Sequence, residues 1–249
     1  MRKYAIAAGV LTLSVIGVTS HAFFDEVVAL REELKIWETT HAADFNDVIA
    51  QLEDITGPVF NDVTEADWFS PFVAALAEWE IVSGYRDDTG RLTGEFSPSR
   101  PVTIAEILKM AMKAAKVDTA ECTGAPQYNA VEGHWAERYI VCAEQRGVRL
   151  FQQPIDLDRP AHRAEVLTIV HDVFGDTVVP LFSNFTDTVG HPYESDIAHA
   201  AFSGIVAGYK DERGAETGEF KPDAQINRAE TAKVIYERIK LDAIREDIL

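Results

Sequence analysis

The sequence predicts a mainly α-helical protein in which three pseudo-symmetric helix–loop–helix copies pack around a shared axis. One phrase recurs. Gly94-Glu95-Phe96-Ser97-Pro98 leads into Val102-Thr103-Ile104-Ala105-Glu106, and Gly218-Glu219-Phe220-Lys221-Pro222 leads into Ile226-Asn227-Arg228-Ala229-Glu230. A worn version, Asp158-Arg159-Pro160-Ala161-His162-Arg163-Ala164-Glu165, lies between them. The match runs backwards too, since Ile81-Val82-Ser83-Gly84-Tyr85-Arg86-Asp87 answers Ile205-Val206-Ala207-Gly208-Tyr209-Lys210-Asp211. Recurrence at a period of roughly 60 residues is the mark of a repeat architecture. On both sides of each loop, apolar residues return at helical spacing.

Residues 1–22 read as a signal peptide: Arg2 and Lys3, an apolar run from Tyr4 to Val18, then the small-x-small pattern Ser20-His21-Ala22. The run is shorter than the ~20 residues of a spanning helix, so cleavage is expected rather than a retained anchor. No later segment of the chain is long and apolar enough to be read as a span. Residues 23–57 form an N-terminal helical segment, with Phe24, Val27, Val28, Leu34 and Trp37, then Phe45, Val48, Ile49, Leu52 and Ile55. Gly57-Pro58 ends it. A helix or two packed on the bundle is the first expectation; an oligomerisation or partner-binding segment over 23–55 is the second.

The first copy spans 58–118. Trp68, Phe72, Val73, Leu76 and Trp79 give its first helix, Gly84 and Asp87-Asp88-Thr89-Gly90 break the pattern, and a second helix follows Pro101 with Ile104, Ile107, Leu108 and Met112 on one stripe. The second copy spans 119–180, with Trp135, Tyr139, Ile140 and Ala143, then Val166, Leu167, Ile169 and Val170. It lacks the Gly-Tyr-x-Asp turn and carries Gly147-Val148-Arg149-Leu150-Phe151 instead. The third copy spans 181–249, with Tyr193, Ile197, Ala200 and Ala201, then Val234, Ile235 and Ile239. One hairpin of this size cannot bury its apolar face alone, whereas three packed together can. Phe96 and Phe220 are expected to pin the long loops to the core.

The chain carries 23 basic and 41 acidic residues, a net charge of −18. Loss of Arg2 and Lys3 with the leader makes it −20. Such a surface repels nucleic-acid phosphates and anionic lipid headgroups, so an anionic ligand needs a locally basic pocket. Cys122 and Cys142 are the two cysteines. An exported chain permits a bridge between them, and a simply buried Cys142 is the open alternative.

Thr103-x-x-Glu106 is a capping box, and Asn227-x-x-Glu230 is close to one. His162-x-x-Glu165 is a weaker form. Glu106, Glu165 and Glu230 are therefore read as structural. Arg163 and Arg228 stand at the first helical position, where a cation opposes the helix dipole by about 0.3–1 kcal/mol. Two explanations stay open: a bound carboxylate shared with free helix N–H groups, or an ion pair with a neighbouring acid. Trp68 and Trp135 are read first as core, with a sugar face as their second role. Gly84 and Gly208 are expected to serve the backbone, and Asp87 and Asp211 to hydrogen-bond within their turns.

The order Phe60-Asn61-Asp62-Val63, Asp67-Trp68, Ile81-Val82-Ser83-Gly84-Tyr85, Gly94-Glu95-Phe96-Ser97-Pro98 and Val102-Thr103-Ile104-Ala105-Glu106 resembles the S-layer homology domain. The third copy repeats that order from Phe185-Thr186-Asp187 onward, and the likeness covers about residues 58–240. The resemblance implies a three-pronged bundle of helical hairpins and a non-catalytic module. Such a module binds secondary cell-wall polysaccharide, often pyruvylated, or peptidoglycan, and tethers exported proteins to the cell envelope. By motif position it assigns ligand binding to Arg228 and Arg163, with Trp68 and Trp135 at the heads of first helices and Gly84, Gly208, Asp87 and Asp211 in the loops. Ile104 stands where the first copy would carry the arginine, so that groove is expected to lack its cation.

Other classes are weaker. A glycan hydrolase needs two carboxylates facing each other in a cleft, and no isolated acidic pair stands in an apolar setting. The seven histidines show no nucleophile partner or zinc spacing. Asp87-Asp88-Thr89-Gly90 and Asp211-Glu212-Arg213-Gly214 lack the spaced acids of a calcium loop. No catalytic residue, metal or cofactor is predicted.

Overall fold

The computed structural model describes residues 60–87 and 89–246. The predicted leader and the segment 23–57 lie outside the described residues. Within them the protein is mainly helical, with six α-helices and no strands: α1 (Ser70–Glu78), α2 (Ile104–Ala114), α3 (Glu137–Gln145), α4 (Arg163–Phe174), α5 (Glu194–Phe202) and α6 (Arg228–Glu246). A single 3-10 turn, Arg149–Phe151, follows α3. Among the described residues no helix is long and apolar enough to cross a membrane.

The predicted apolar stripes set the helix packing. Ile104, Ile107, Leu108 and Met112 of α2 are fully buried, as are Val166, Ile169 and Val170 of α4 and Ile235 of α6. These three helices all touch one another at the centre. Each shorter helix packs on the long helix of the copy before it: α3 on α2, α5 on α4, and α1 on α6, which closes the circle. Trp68 and Trp135 fall just outside the helices whose pattern they seemed to begin, and both are exposed.

The strands of chain that lead into α2, α4 and α6 lock together by a closed ring of backbone hydrogen bonds. Val102 N–H donates to Ile226 O at 3.1 Å, Ile226 N–H to Ala161 O at 3.2 Å, and Ala161 N–H to Val102 O at 2.8 Å. The same junction satisfies the helix starts. Ile104 and Ala105 N–H donate to Arg159 and Leu157 carbonyls, Arg163 and Ala164 to Ala224 and Pro222, and Arg228 and Ala229 to Arg100 and Pro98. Groups that an isolated helix leaves unpaired are thus paired by the loop of another copy.

The first and third loops match in detail. Asp62 accepts from Phe96 and Ser97 N–H, and Asp187 from Phe220 and Lys221 N–H. Ser97 and Lys221 share a left-handed backbone, with φ of 57° and 60°. Phe96 and Phe220 are buried against Phe60 and Phe185. The second loop is held differently: buried Asn129 receives Ile155 N–H and donates to Glu144 and the Phe151 carbonyl. Cys122 and Cys142 form a disulfide, with their Cα atoms 5.1 Å apart. It ties the loop before α3 to that helix.

Candidate functional site

Two junctions are built alike where a long helix meets the loop of another copy. In the first, Arg228 opens α6 and reaches the first loop. Its guanidinium donates to Tyr85 Oη at 3.0 Å and Ser83 O at 2.9 Å. It lies 4.7 Å from the Tyr85 ring centre and 4.8 Å from that of Phe96. In the second, Arg163 opens α4 and reaches the third loop. It donates to Phe220 O at 3.1 Å and to Glu230 Oε1 at 3.2 Å, 4.8 Å from the Tyr209 and Phe220 ring centres. Cation–ring contacts of this kind contribute about 0.5–2 kcal/mol each.

These contacts revise one expectation. The helix N–H groups beside both arginines are not open to a bound carboxylate, because loop carbonyls and capping side chains take them. The arginines are also deep: Arg228 is 7 % exposed. What offsets the unfavourable helix dipole is the aromatic floor and, for Arg163, the Glu230 carboxylate. Arg228 keeps one unused donor, Nε, buried and without a partner among the described residues.

A second, outer cation approaches each tyrosine. Arg100 lies 4.5 Å from the Tyr85 ring centre and pairs with Glu106 at 3.6 Å. Lys221 lies 4.4 Å from the Tyr209 ring centre. Their side chains are 47 % and 49 % exposed, so the outer cations, rather than the arginines of the motif, face solvent. Burial pushes the Tyr85 and Tyr209 hydroxyls above the usual tyrosine range, against the charges of Arg228 and Arg100 at Tyr85 and of Arg163 at Tyr209. Both therefore stay protonated near neutral pH, and Tyr85 Oη donates to Glu106.

The other predicted residues fall in supporting places. Gly84 and Gly208 hold no left-handed backbone; they matter because a Cβ would meet Phe60 and the Glu95 carbonyl, or Phe185 and the Glu219 carbonyl. Asp87 accepts from Thr89 and Arg91 N–H, and Asp211 from Arg213 and Ala215 N–H, so each closes the turn below its tyrosine. Hydrogen bonding by Thr89 and Arg91 holds the Asp87 carboxyl below the usual range. Where the first copy lacks its arginine, Ile104 is fully buried.

Sequence reasoning missed the tyrosines and outer cations as groove residues. Tyr85 and Tyr209 carried a signal, since Gly-Tyr recurs in both copies. Arg100 and Lys221 carried none, since they stand at non-equivalent positions. It also missed a buried polar cluster at the α4–α5 contact. There Arg149 forks onto Asp172 and Asp196, His171 Nδ1 sits 3.3 Å from Asp196, and His171 Nε2 sits 3.3 Å from His199. Among the described residues no group of three or more metal-ligating side chains assembles.

Helical copies closed by a ring, with a buried arginine set on an aromatic floor at two matched junctions, define a repeat-built helical module. The S-layer homology domain matches at residues 59–107 and again at residues 184–232, and the chain carries that domain at both positions. The matched stretches lie in the first and third copies. Domains of this family are cell-surface anchoring modules that bind cell-wall polymers. No curated protein matches the chain.

Proposed function

We propose that this protein is a non-catalytic anchor that holds to an acidic cell-wall polysaccharide, a pyruvylated one included, through the Tyr85 and Tyr209 grooves. Residues 119–180 serve as a third, divergent domain copy, a reading supported by the ring that Ala161 closes with Val102 and Ile226. The observation that carries the proposal is the repeated pair of cations around a tyrosine, one buried and one exposed, in a chain of net charge −18. In a strongly acidic protein, two basic recesses on matched loops suit an anionic polymer. Arg228 and Arg163 form the floor, Arg100 and Lys221 meet the acidic substituent, and exposed Trp68 offers a sugar-stacking face. Gly84, Gly208, Asp87 and Asp211 act indirectly by fixing the tyrosines. The signal-peptide pattern over residues 1–22 and the family match support an exported location.

The test is binding of residues 23–249 to purified wall polysaccharide, with peptidoglycan freed of that polymer as the competing partner. The Arg100→Gln/Lys221→Gln double variant is expected to lose at least about tenfold in affinity, and wild-type binding to fall as salt rises. Unchanged affinity in the double variant, or equal binding to bare peptidoglycan, would contradict it.

A further inference from the structure

The short helices of the three copies start from one kind of turn. Asp67, His134 and His191 hold the same place in it. Their N–H groups donate to the Thr64, Val131 and Thr188 carbonyls, and their own carbonyls receive the Ser70, Glu137 and Glu194 N–H groups. The side chain at that place does different work in each copy. In the first, the Asp67 carboxylate accepts the Thr64 N–H and hydroxyl. In the second, His134 Nδ1 accepts the Ala136 N–H at 3.1 Å, and in the third, His191 Nδ1 accepts the Tyr193 N–H at 3.2 Å. The far nitrogens match as well, with His134 Nε2 3.2 Å from Asp158 and His191 Nε2 3.3 Å from Asp223.

These contacts fix the form of both rings. A backbone N–H only donates, so each Nδ1 presents a lone pair, and the proton of the neutral imidazole lies on Nε2, facing the carboxylate. A second proton can enter only at Nδ1, where it turns the acceptor into a donor and expels the backbone N–H. Ala136 is fully buried, so its expelled N–H is left as an unpaired buried donor, which is unfavourable. The starts of α3 and α5 also oppose a cation. Asp158 and Asp223 favour one, but their side chains are 73 % and 81 % exposed, against 19 % and 15 % for the histidines. Solvent screens such pairs. The other charged groups beside His134 are Lys109 of α2 and Glu137 and Arg138 of α3, which line the same cleft. Beside His191 stands Glu194, whose carboxylate holds the Gly190 N–H.

We propose that His134 and His191 are a matched pair of proton-operated latches, which release the turns at the heads of α3 and α5 in mild acid while the Asp67 turn of the first copy stays closed. The folded form needs neutral rings, whereas an unfolded histidine takes up a proton below about pH 6.5. The folded state therefore binds fewer protons, and stability falls as pH drops. Release is felt at the ring junction, because Asp158 and Asp223 neighbour Arg159 and Ala224, whose carbonyls pair with the Ile104 and Arg163 N–H groups. The latches operate whether or not the chain binds a wall polymer.

NMR of isotope-labelled residues 23–249, followed from about pH 8 to about pH 5, tests this. Ring-nitrogen shifts are expected to show both histidines in the Nε2–H form at the alkaline end. The Ala136 and Tyr193 amide signals are expected to move in step with their own rings, while Thr64 does not. In His134→Asn/His191→Asn the amide oxygens accept the same N–H bonds without titrating. Between about pH 7.5 and 5.5, wild type is expected to lose at least about fivefold more in its folding equilibrium constant than this variant does. An Nδ1–H form at the alkaline end, amides that stay still while the rings titrate, or an equal loss in wild type and variant would overturn the latches. The NMR readings need wild type alone, so they decide the matter even where the variant fails to fold.

Discussion

Arg228 and Lys221 are both groove cations, yet burial gives them different work. Arg228 contributes charged hydrogen bonds to Tyr85 and Ser83 and two ring contacts from an enclosed position. Arg228→Ala is expected to lower stability by about 2–4 kcal/mol, while Lys221→Gln, half exposed, changes it by less than about 0.5 kcal/mol; chemical denaturation of the two variants checks this. Burial alone would push the Asp196 carboxyl up, but hydrogen bonds from His171 and Arg149 outweigh it and hold it below the usual range. Glu165 behaves likewise, with Arg159 and the His162 N–H outweighing burial. Carboxyls lowered by folding stabilise above their unfolded pKa of about 4 and lose that contribution as pH falls through the folded value. Thermal melts should therefore be near level from these two groups between pH 7 and about 5 and drop steeply below about 4. In Asp196→Asn the acid drop should shrink; an unchanged acid limb would contradict the assignment. None of this cluster was legible beforehand, because Arg149 finds its acids 23 and 47 residues further on.

Among the elements, the helix starts were the most legible, since a capping box is local chemistry. Thr103 and Glu106 exchange both expected bonds, and Asn227 and Glu230 do the same. His162 does only half of this: its N–H reaches Glu165, while Arg159 takes the rest of that carboxylate. What local chemistry could not show was that the next two N–H groups of each long helix pair with a loop of another copy. The loop glycines were legible as needed, but for an unforeseen reason. A Cβ on Gly208 would sit 2.7 Å from Phe185 Cε1, against 3.3 Å between Gly84 and Phe60 Cε1. Gly208→Ala should therefore cost about 1–3 kcal/mol and more than Gly84→Ala, as denaturant midpoints would show. The disulfide was open from sequence because geometry decides it. It closes a loop with a sequence separation of 20, and its reduction should cost about 3 kcal/mol in the chain-entropy picture. A melting temperature unmoved by reductant would contradict that.

For the whole molecule, the repeat copies legible in the sequence are not the packing units. Each short helix lies on the long helix of the preceding copy, and α1 lies on α6, so the last helix closes on the first. A chain ended at residue 227 is expected to lose its cooperative melt altogether, because α1 and the Tyr85 groove lose their cover together. The periodicity of two well-matched copies made the helices and the family legible. The groove pairs Arg228 with Tyr85 across 143 residues, which no local pattern reports. Charge gives the same lesson: an acidic chain draws attention away from bases, yet the proposed function turns on two of them, Arg100 and Lys221, both half exposed beside a tyrosine ring. The direct test of wall anchoring is sedimentation of residues 23–249 with intact sacculi and with sacculi stripped of secondary polysaccharide. Binding to the intact sacculi that disappears on stripping, and weakens in the Arg100→Gln/Lys221→Gln variant, is the predicted result. Folded protein that stays in the supernatant with intact sacculi, or pellets equally with stripped ones, would contradict it.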